Sequence, residues 1–307
     1  MRVWSADVVV DEELARRLLG QFPELEVRSL RRLAEGWDNA VWLVNERWAF
    51  RFPQRAIGAP GVERELAVLP LLAGRLPLPV PNPVFAGRAE GDYPWPFFGS
   101  ELLPGRETCD AGLDDAARLR VALEVAAFLR ALHSVELAVE LPIDANARSD
   151  MTKRVPLARE QLAELERLGV WRVPAEVGCV LDEAWRLPPS TELAFVHGDL
   201  HFRHVLVERG RASGVIDWGD VCRADPAIDL QLVWSFLPPE SRPAFLDAYG
   251  PVTDEQLLRA RVVALSLGAA LAAYGHVEGM PNVGREALAS LERSAAPSGS
   301  RGSARRS

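Results

Sequence analysis

Two short segments, HGDLHFRHVLV at 197–207 and GVIDWGD at 214–220, concentrate the side chains of this chain that can do chemistry. Asp199, His204 and Asp217, with His197 and His201 beside them, are ligands for a proton or a metal. Carboxylates at that interval suit chemistry on a metal-bound anion. Residues 205–207 and 213–216 read as short strands separated by a turn at Gly210. Catalytic groups before the first strand of a hairpin and after its second come to one end, so the spacing predicts that Asp199, His204 and Asp217 converge.

The elements that must position this hairpin fall into two textures. Asp11 precedes EELARRLL as a helix N-cap, with Leu14, Leu18 and Leu19 on one face. Strand-like stretches follow at 26–33, 40–45 and 47–52, joined by turn-prone EGWDN and by a tight Asn45-Glu46 connection, which reads as an antiparallel meander. A helix over 62–72 comes next, and LPLPVPNPV then forces an extended connector. Residues 84–88 and 97–103 look like further strands. Beyond Pro104-Gly105 the pattern is mostly helical. Val121, Val125, Phe128 and Leu132 form an apolar stripe at helical spacing, 157–168 and 176–187 give two more helices, and Thr253 with Gln256 makes a capping box at the head of a long helix running towards Tyr274.

Composition restricts the function classes. With 307 residues, 48% hydrophobic and 25% charged, the chain can bury a substantial core. The weakly polar run 262–275 is too short to span a bilayer and reads as a buried helix, so no membrane partner is expected. The N-terminus turns charged before a signal-peptide core can form, so the protein is expected to stay in the cytoplasm. Three scattered cysteines, Cys109, Cys179 and Cys222, point to free thiols. A net charge of −8, more negative still without the arginines of the tail, argues against nonspecific nucleic-acid binding and suits a cationic small molecule. The Ser, Gly and Arg-rich tail 295–307 is expected to be disordered.

Taken together, Asp199, His204 and Asp217 resemble the catalytic and metal loops of the aminoglycoside phosphotransferase family, antibiotic kinases built on a protein-kinase-like fold. The resemblance covers roughly residues 10 to 294. It implies an α+β, two-lobed fold: an N-lobe over 1–103 with a small, mainly antiparallel sheet and a hinge at 100–103, and a larger, mainly helical C-lobe over 104–294. In that pattern Asp199 faces the substrate hydroxyl, and His204 and Asp217 hold Mg²⁺ or Mn²⁺. The commoner residue at the position of His204 is Asn, and macrolide phosphotransferases of the same family resemble this chain in carrying His. Because Mg²⁺ prefers hard oxygen ligands, His204 is expected to bind weakly or through water and to leave Asp217 most of the charge.

The resemblance extends to a nucleotide half. Arg51, in WAFRFP, falls where a basic residue grips the phosphates of ATP or GTP, and Glu65, in VERELAVL, falls where a Glu holds it; Glu63 points elsewhere on the helix. EGWDNAV sits where a phosphate-covering loop belongs but offers only Gly36, with backbone amides around Trp37 to Ala40. Ser100, Glu101 and Leu102 would present backbone groups to the purine. Asp220 and His201 are candidate substrate contacts, His201 and Arg203 would each touch phosphate or else face solvent, and His197 braces its loop. The activity implied is transfer of the γ-phosphate to a hydroxyl of an aminoglycoside or macrolide. Three other readings stay open: a kinase of amino alcohols, homoserine or ketosamines; a nucleotide-binding pseudokinase; and a metal-dependent hydrolase, in which His197, Asp199 and His201 alternate on a strand and share a face.

Overall fold

The computed structural model describes residues 6–36 and 38–297. Trp37 and all of the tail beyond Pro297 lie outside the described residues; Ala295 ends a helix. By its internal contacts the chain forms two compact units. One runs to Pro104 and also includes Leu137–Leu141 and Gly214–Val221; the other comprises Gly105–Glu136, Pro142–Ser213 and the chain from Cys222 onward. The segment carrying Asp217, which the sequence assigned to the helical half, is therefore packed within the first unit. Hydrogen bonding explains this, since the Val215 N–H donates to the Pro79 carbonyl at 3.0 Å.

In the first unit, α1 (Glu12–Leu19) starts where Asp11 accepts the Leu14 N–H at 2.9 Å and buries Ala15, Leu18 and Leu19. The strands β1 (Leu30–Glu35), β2 (Asn39–Val44), β3 (Trp48–Pro53), β4 (Pro83–Gly87) and β5 (Phe97–Glu101) make one antiparallel sheet in the order β1-β2-β3-β5-β4. The first strand begins later than its β-prone sequence suggested. The Asn45 side chain takes the Arg28 and Ser29 N–H groups, at 2.8 and 3.0 Å, so that stretch is fixed by a turn residue and not by the ladder. Asn45 and Glu46 have φ of 55° and 51°, the two positive values that a tight hairpin turn requires. Phe50 and Phe52 point into a core with Trp42, Phe85, Tyr93 and Phe97, and strand alternation turns Arg51 to the opposite face. Helix α2 (Ala59–Leu72) buries Val62, Glu65, Leu69 and Leu72, so Glu65 stands on the apolar stripe at helical spacing.

The second unit holds β6 (Arg106–Glu107), α3 (Asp115–His133), α4 (Met151–Arg167), α5 (Ala175–Ala184), β7 (Ala194–Val196), β8 (Val205–Glu208), β10 (Cys222–Ala224), α6 (Ala227–Leu230), α7 (Leu232–Ser235), α8 (Arg242–Tyr249), α9 (Asp254–Val277) and α10 (Pro281–Ala295); β9 (Arg211–Val215) starts in it. Helix α4 opens six residues before its predicted start because Asp150 caps it, and it tolerates Pro156 inside. The pair β7–β10 and the strand β6 are two or three residues long, too short to show alternation in sequence. Helix α10 was missed because Gly284, Ser290 and Ser294 break its apolar stripe.

Helix α9 begins at the Thr253–Gln256 capping box. It exceeds the predicted run, and at 24 residues it is long and apolar enough to cross a membrane by length and composition, yet 67% of the apolar window is buried inside the fold. Buried Arg259 and Arg261 on this helix reach backbone carbonyls, among them Ser149 and Ser294. At Gly275 the backbones of α9 and α10 come together: a Cβ there would meet the Gly284 nitrogen at 2.5 Å. Replacing glycine by alanine within a helix ordinarily gains about 1 kcal/mol. For Gly275→Ala the sign should invert, with a loss of about 1–3 kcal/mol in denaturant unfolding, because α10 must move.

Candidate active site

Strand β7 delivers the HGD segment into a turn. Gly198 has φ +86°, a conformation that L side chains adopt rarely, so the chain bends between His197 and Asp199 and does not continue as a strand. The face-sharing premise of the hydrolase reading fails for that reason. His197 is fully buried, and its Nδ1 accepts the Asp199 N–H at 3.3 Å. The loop is held from beneath by Asp229 of α6, whose carboxylate accepts the N–H groups of His197 (2.8 Å) and Gly198 (3.0 Å). His133 of α3 adds its Nε2 to the same carboxylate at 3.1 Å and touches the Tyr249 hydroxyl through Nδ1 at 2.8 Å.

Asp229 is fully buried. Burial works against its charge, but the hydrogen bond from His133, the neighbouring imidazoles and the backbone donors outweigh it and hold the carboxyl below the usual range. By sequence, DPAIDL at 225–230 reads as a helix cap that anchors the loop; in the fold its two carboxylates do different work. Asp225 is the local cap, accepting the Ala227 N–H at 2.9 Å, and Asp229 is the anchor. Nothing in the spacing alone distinguishes them.

Asp199 stands on the far side of the turn, with about a quarter of its side chain exposed. Its Oδ1 is 2.9 Å from Arg148 Nη2; its Oδ2 faces His201 Nε2 at 3.8 Å and His204 Nδ1 at 3.9 Å. The hydrogen bonds assign the tautomers. His204 Nδ1 lies 2.8 Å from the Asp199 carbonyl oxygen, which can only accept, so Nδ1 carries a proton and the neutral ring has its lone pair on Nε2. His201 Nδ1 accepts the Arg203 N–H at 3.2 Å, which puts its proton on Nε2. A metal-ligating imidazole is ordinarily held as His204 is, through an Nδ1–H to a carbonyl. Potential ligand atoms of Asp199, His201 and His204 lie within 4.8 Å of one another, but His201 would have to give up the Arg203 contact to ligate through Nε2. Arg203 itself makes a bidentate pair with Glu107, at 2.8 and 3.1 Å.

The first unit carries a second cluster. Arg51 Nη2 is 2.6 Å from Asp217 Oδ1, and Arg51 Nε is 3.2 Å from Glu65 Oε2. Glu65 also accepts the Trp218 N–H at 3.0 Å, so the helix carboxylate holds both the strand arginine and the residue after Asp217. Asp217 has φ +66°, uncommon for a residue other than glycine, and the conformation persists because its neighbours are pinned. Trp218 is fully buried, with its indole on the Val215 carbonyl at 3.0 Å, and Arg64 Nε caps the Gly219 carbonyl at 2.8 Å. Burial opposes the Arg51 charge, but Asp217 and Glu65 outweigh it and raise its pKa; burial pushes the Glu65 carboxyl up, against the pull of Arg51. Asp220 adds to the field on Arg51, and Glu63 is exposed.

The remaining predicted contacts are placed as follows. The Gly36 N–H, at the end of β1, donates to the Asn39 carbonyl of β2 at 2.9 Å; Trp37 is outside the described residues. Ser100 is buried within the sheet between its partners Ala49 and Pro83. Glu101 is exposed at the strand end, paired with Trp48, and the Leu102 N–H donates to the Arg47 carbonyl at 2.7 Å.

Comparison with known proteins follows the same lines. The phosphotransferase enzyme family (APH) matches residues 29–261. No curated protein matches the sequence. Among solved structures, the GDP and kanamycin complex of an APH(2″) enzyme superimposes with a TM-score of 0.69 at 24% identity, over 92% of this chain and 98% of that one. The ADP-bound aminoglycoside phosphotransferase APH(2″)-Ib gives 0.59 at 20% identity, over 92% and 99%. Macrolide 2′-phosphotransferase MphH from Brachybacterium faecium, an apoenzyme, gives 0.59 at 21%, over 90% and 96%. At these identities the likeness establishes the fold, which is α+β and kinase-like, with the five-stranded antiparallel sheet in the N-terminal part and a mostly helical remainder.

Removing the Asp229 charge tests the anchor. Asp229→Asn should cost about 2–4 kcal/mol near neutral pH, since the buried donors around it lose a charged acceptor. A lowered carboxyl pKa contributes stability above the ordinary carboxylate range and loses it as pH falls through the lowered value. The difference between wild type and variant, measured by denaturant unfolding, should therefore shrink below about pH 4.

Proposed function

Since the chain belongs to the phosphotransferase enzyme family, we propose that it moves the γ-phosphate of ATP or GTP to a hydroxyl of a cationic small molecule, an aminoglycoside or a macrolide antibiotic. The observation that carries this reading is the cluster around Arg51. A permanently charged guanidinium, braced by the buried Glu65 and directed at the strained Asp217, is a ready clamp for phosphate oxygens.

Phosphoryl transfer asks the protein to position reactants and to offset charge. In this reading Arg51 holds the triphosphate. Asp199 orients the acceptor hydroxyl and takes its proton late in the transfer, so no covalent enzyme intermediate forms. The donors in the chain suit Mg²⁺ or Mn²⁺: Asp217 offers hard oxygen, and His204 offers the lone pair on Nε2 that its Nδ1–H contact leaves. A divalent ion, when bound, would supply neutralising charge for the nucleotide phosphates. The cationic acceptor is supported by the acidic chain and by relatives whose structures contain kanamycin, gentamicin or streptomycin. Asp220 and His201 are the residues we assign to acceptor contacts, and Gly36, Ser100, Glu101 and Leu102 remain the proposed surroundings of the nucleotide.

The test is nucleotide consumption over kanamycin, gentamicin, streptomycin, a macrolide and a set of amino alcohols, homoserine and ketosamines, with phosphorylated product identified by mass. Asp199→Asn should lower kcat about 10²–10⁴-fold on the accepted substrate. Arg51→Ala should raise the nucleotide KM about tenfold or more. Transfer confined to an amino alcohol, homoserine or ketosamine would overturn the antibiotic assignment and keep the chemistry. Nucleotide-induced thermal stabilisation without any transfer would identify a pseudokinase and end the proposal.

A further inference from the structure

The loop preceding α4, residues 144–149, is held far more firmly than a connection of its length requires. The Asp144 carboxylate accepts the Arg148 N–H (2.7 Å), the Ser149 N–H (2.8 Å) and the Ser149 hydroxyl (2.6 Å), while the Asp144 N–H donates to the Arg223 carbonyl at 3.0 Å. Arg154 and Arg259 brace the carbonyls of Asn146 and Ser149, each at 3.1 Å. Asp144 and Ala147 have φ of 35° and 48°, and for alanine a left-handed conformation costs about 1 kcal/mol or more. Such strain persists where the surroundings over-determine it. What the loop delivers is one side chain, Arg148.

The guanidinium of Arg148 grips the HGD turn twice. Its Nη1 donates to the Gly198 carbonyl, and its Nη2 pairs with Asp199 Oδ1 at 2.9 Å. An aspartate carboxylate rotates in a broad, roughly two-fold well, so a single contact does not decide which oxygen faces a substrate. A planar fork anchored at the same time on the neighbouring backbone does decide it. Oδ1 is tied to the arginine, and Oδ2 is the oxygen turned towards His201 Nε2–H and His204. That 3.8 Å gap between Asp199 Oδ2 and the His201 donor matches one hydroxyl oxygen in hydrogen-bond reach of both.

We propose that Arg148 is a positioning residue for Asp199, fixing the carboxylate so that Oδ2 meets the acceptor hydroxyl in a seat completed by His201 Nε2–H. The proposal rests on the phosphotransferase reading of Asp199. The test uses the full chain with the acceptor turned over by the wild type in the screen above. Arg148→Gln should lower kcat about tenfold to a hundredfold while the nucleotide KM stays within about twofold. Arg148→Lys should fall between the two, since it restores the charge without the fork. In the Asp199→Asn background Arg148→Gln should cost nothing further, because the group it positions has lost its function; a contribution to folding alone would give losses that multiply.

Independent, multiplying losses would overturn the proposal, as would a kcat for Arg148→Gln within about twofold of wild type while Asp199→Asn is inactive. Should Arg148→Gln not fold, Arg148→Lys against wild type gives the same reading, and failure of both to fold would make the role structural and refute the proposal. No transfer by the wild type, or full transfer by Asp199→Asn, would overturn the phosphotransferase reading and this inference with it.

Discussion

A carboxylate removed from water must recover its hydration from the protein, and the nearest donors are backbone N–H groups that have lost water too. This exchange recurs at both functional segments. Asp229, fully buried, takes the N–H groups of His197 and Gly198, immediately before Asp199. Glu65, almost fully buried, takes the N–H of Trp218, immediately after Asp217. In each case a buried acid fixes the backbone next to one of the partly exposed aspartates proposed to act in the transfer. Moving either buried carboxylate away would leave these backbone donors unpaired, which opposes relaxation of the loops.

That rigidity explains why unfavourable backbone conformations survive there. Gly198 at φ +86° is accommodated by having no side chain, whereas Asp217 at φ +66° carries a conformational cost on the order of 1 kcal/mol that the Arg51 and Glu65 contacts offset. The same logic applies to Asp144 and Ala147 in the loop that carries Arg148. Each of these segments presents a charged side chain and is bound at several points to a helix or strand of its own unit.

The cations obey a complementary rule. Arg51, Arg148 and Arg259 are largely buried and reach carboxylates or carbonyls, so their charge is used at short range. Surface pairs such as Arg28–Glu26 and Arg167–Glu164 are exposed and contribute little beyond solubility. The net charge of −8 therefore describes the exterior, while the two functional segments are locally compensated by arginine.

Much was legible from residue order alone because the determining interactions are local or periodic. Asp11 and the Thr253–Gln256 box capped the helices expected of them, the Asn45-Glu46 turn joined β2 to β3, and a helix formed over the expected 62–72. The HGD and DWGD segments stood out through the spacing of their carboxylates and imidazoles. What residue order left open depends on partners distant along the chain. Asp229 is separated from His197 by 32 residues and Arg148 from Asp199 by about fifty, and no period or motif links them. The tautomers of His201 and His204, and the choice of Asp229 over Asp225 as anchor, were decided only when the folded chain brought particular donors against particular acceptors, because a hydrogen bond is set by distance and direction and residue type supplies only the capacity to make it.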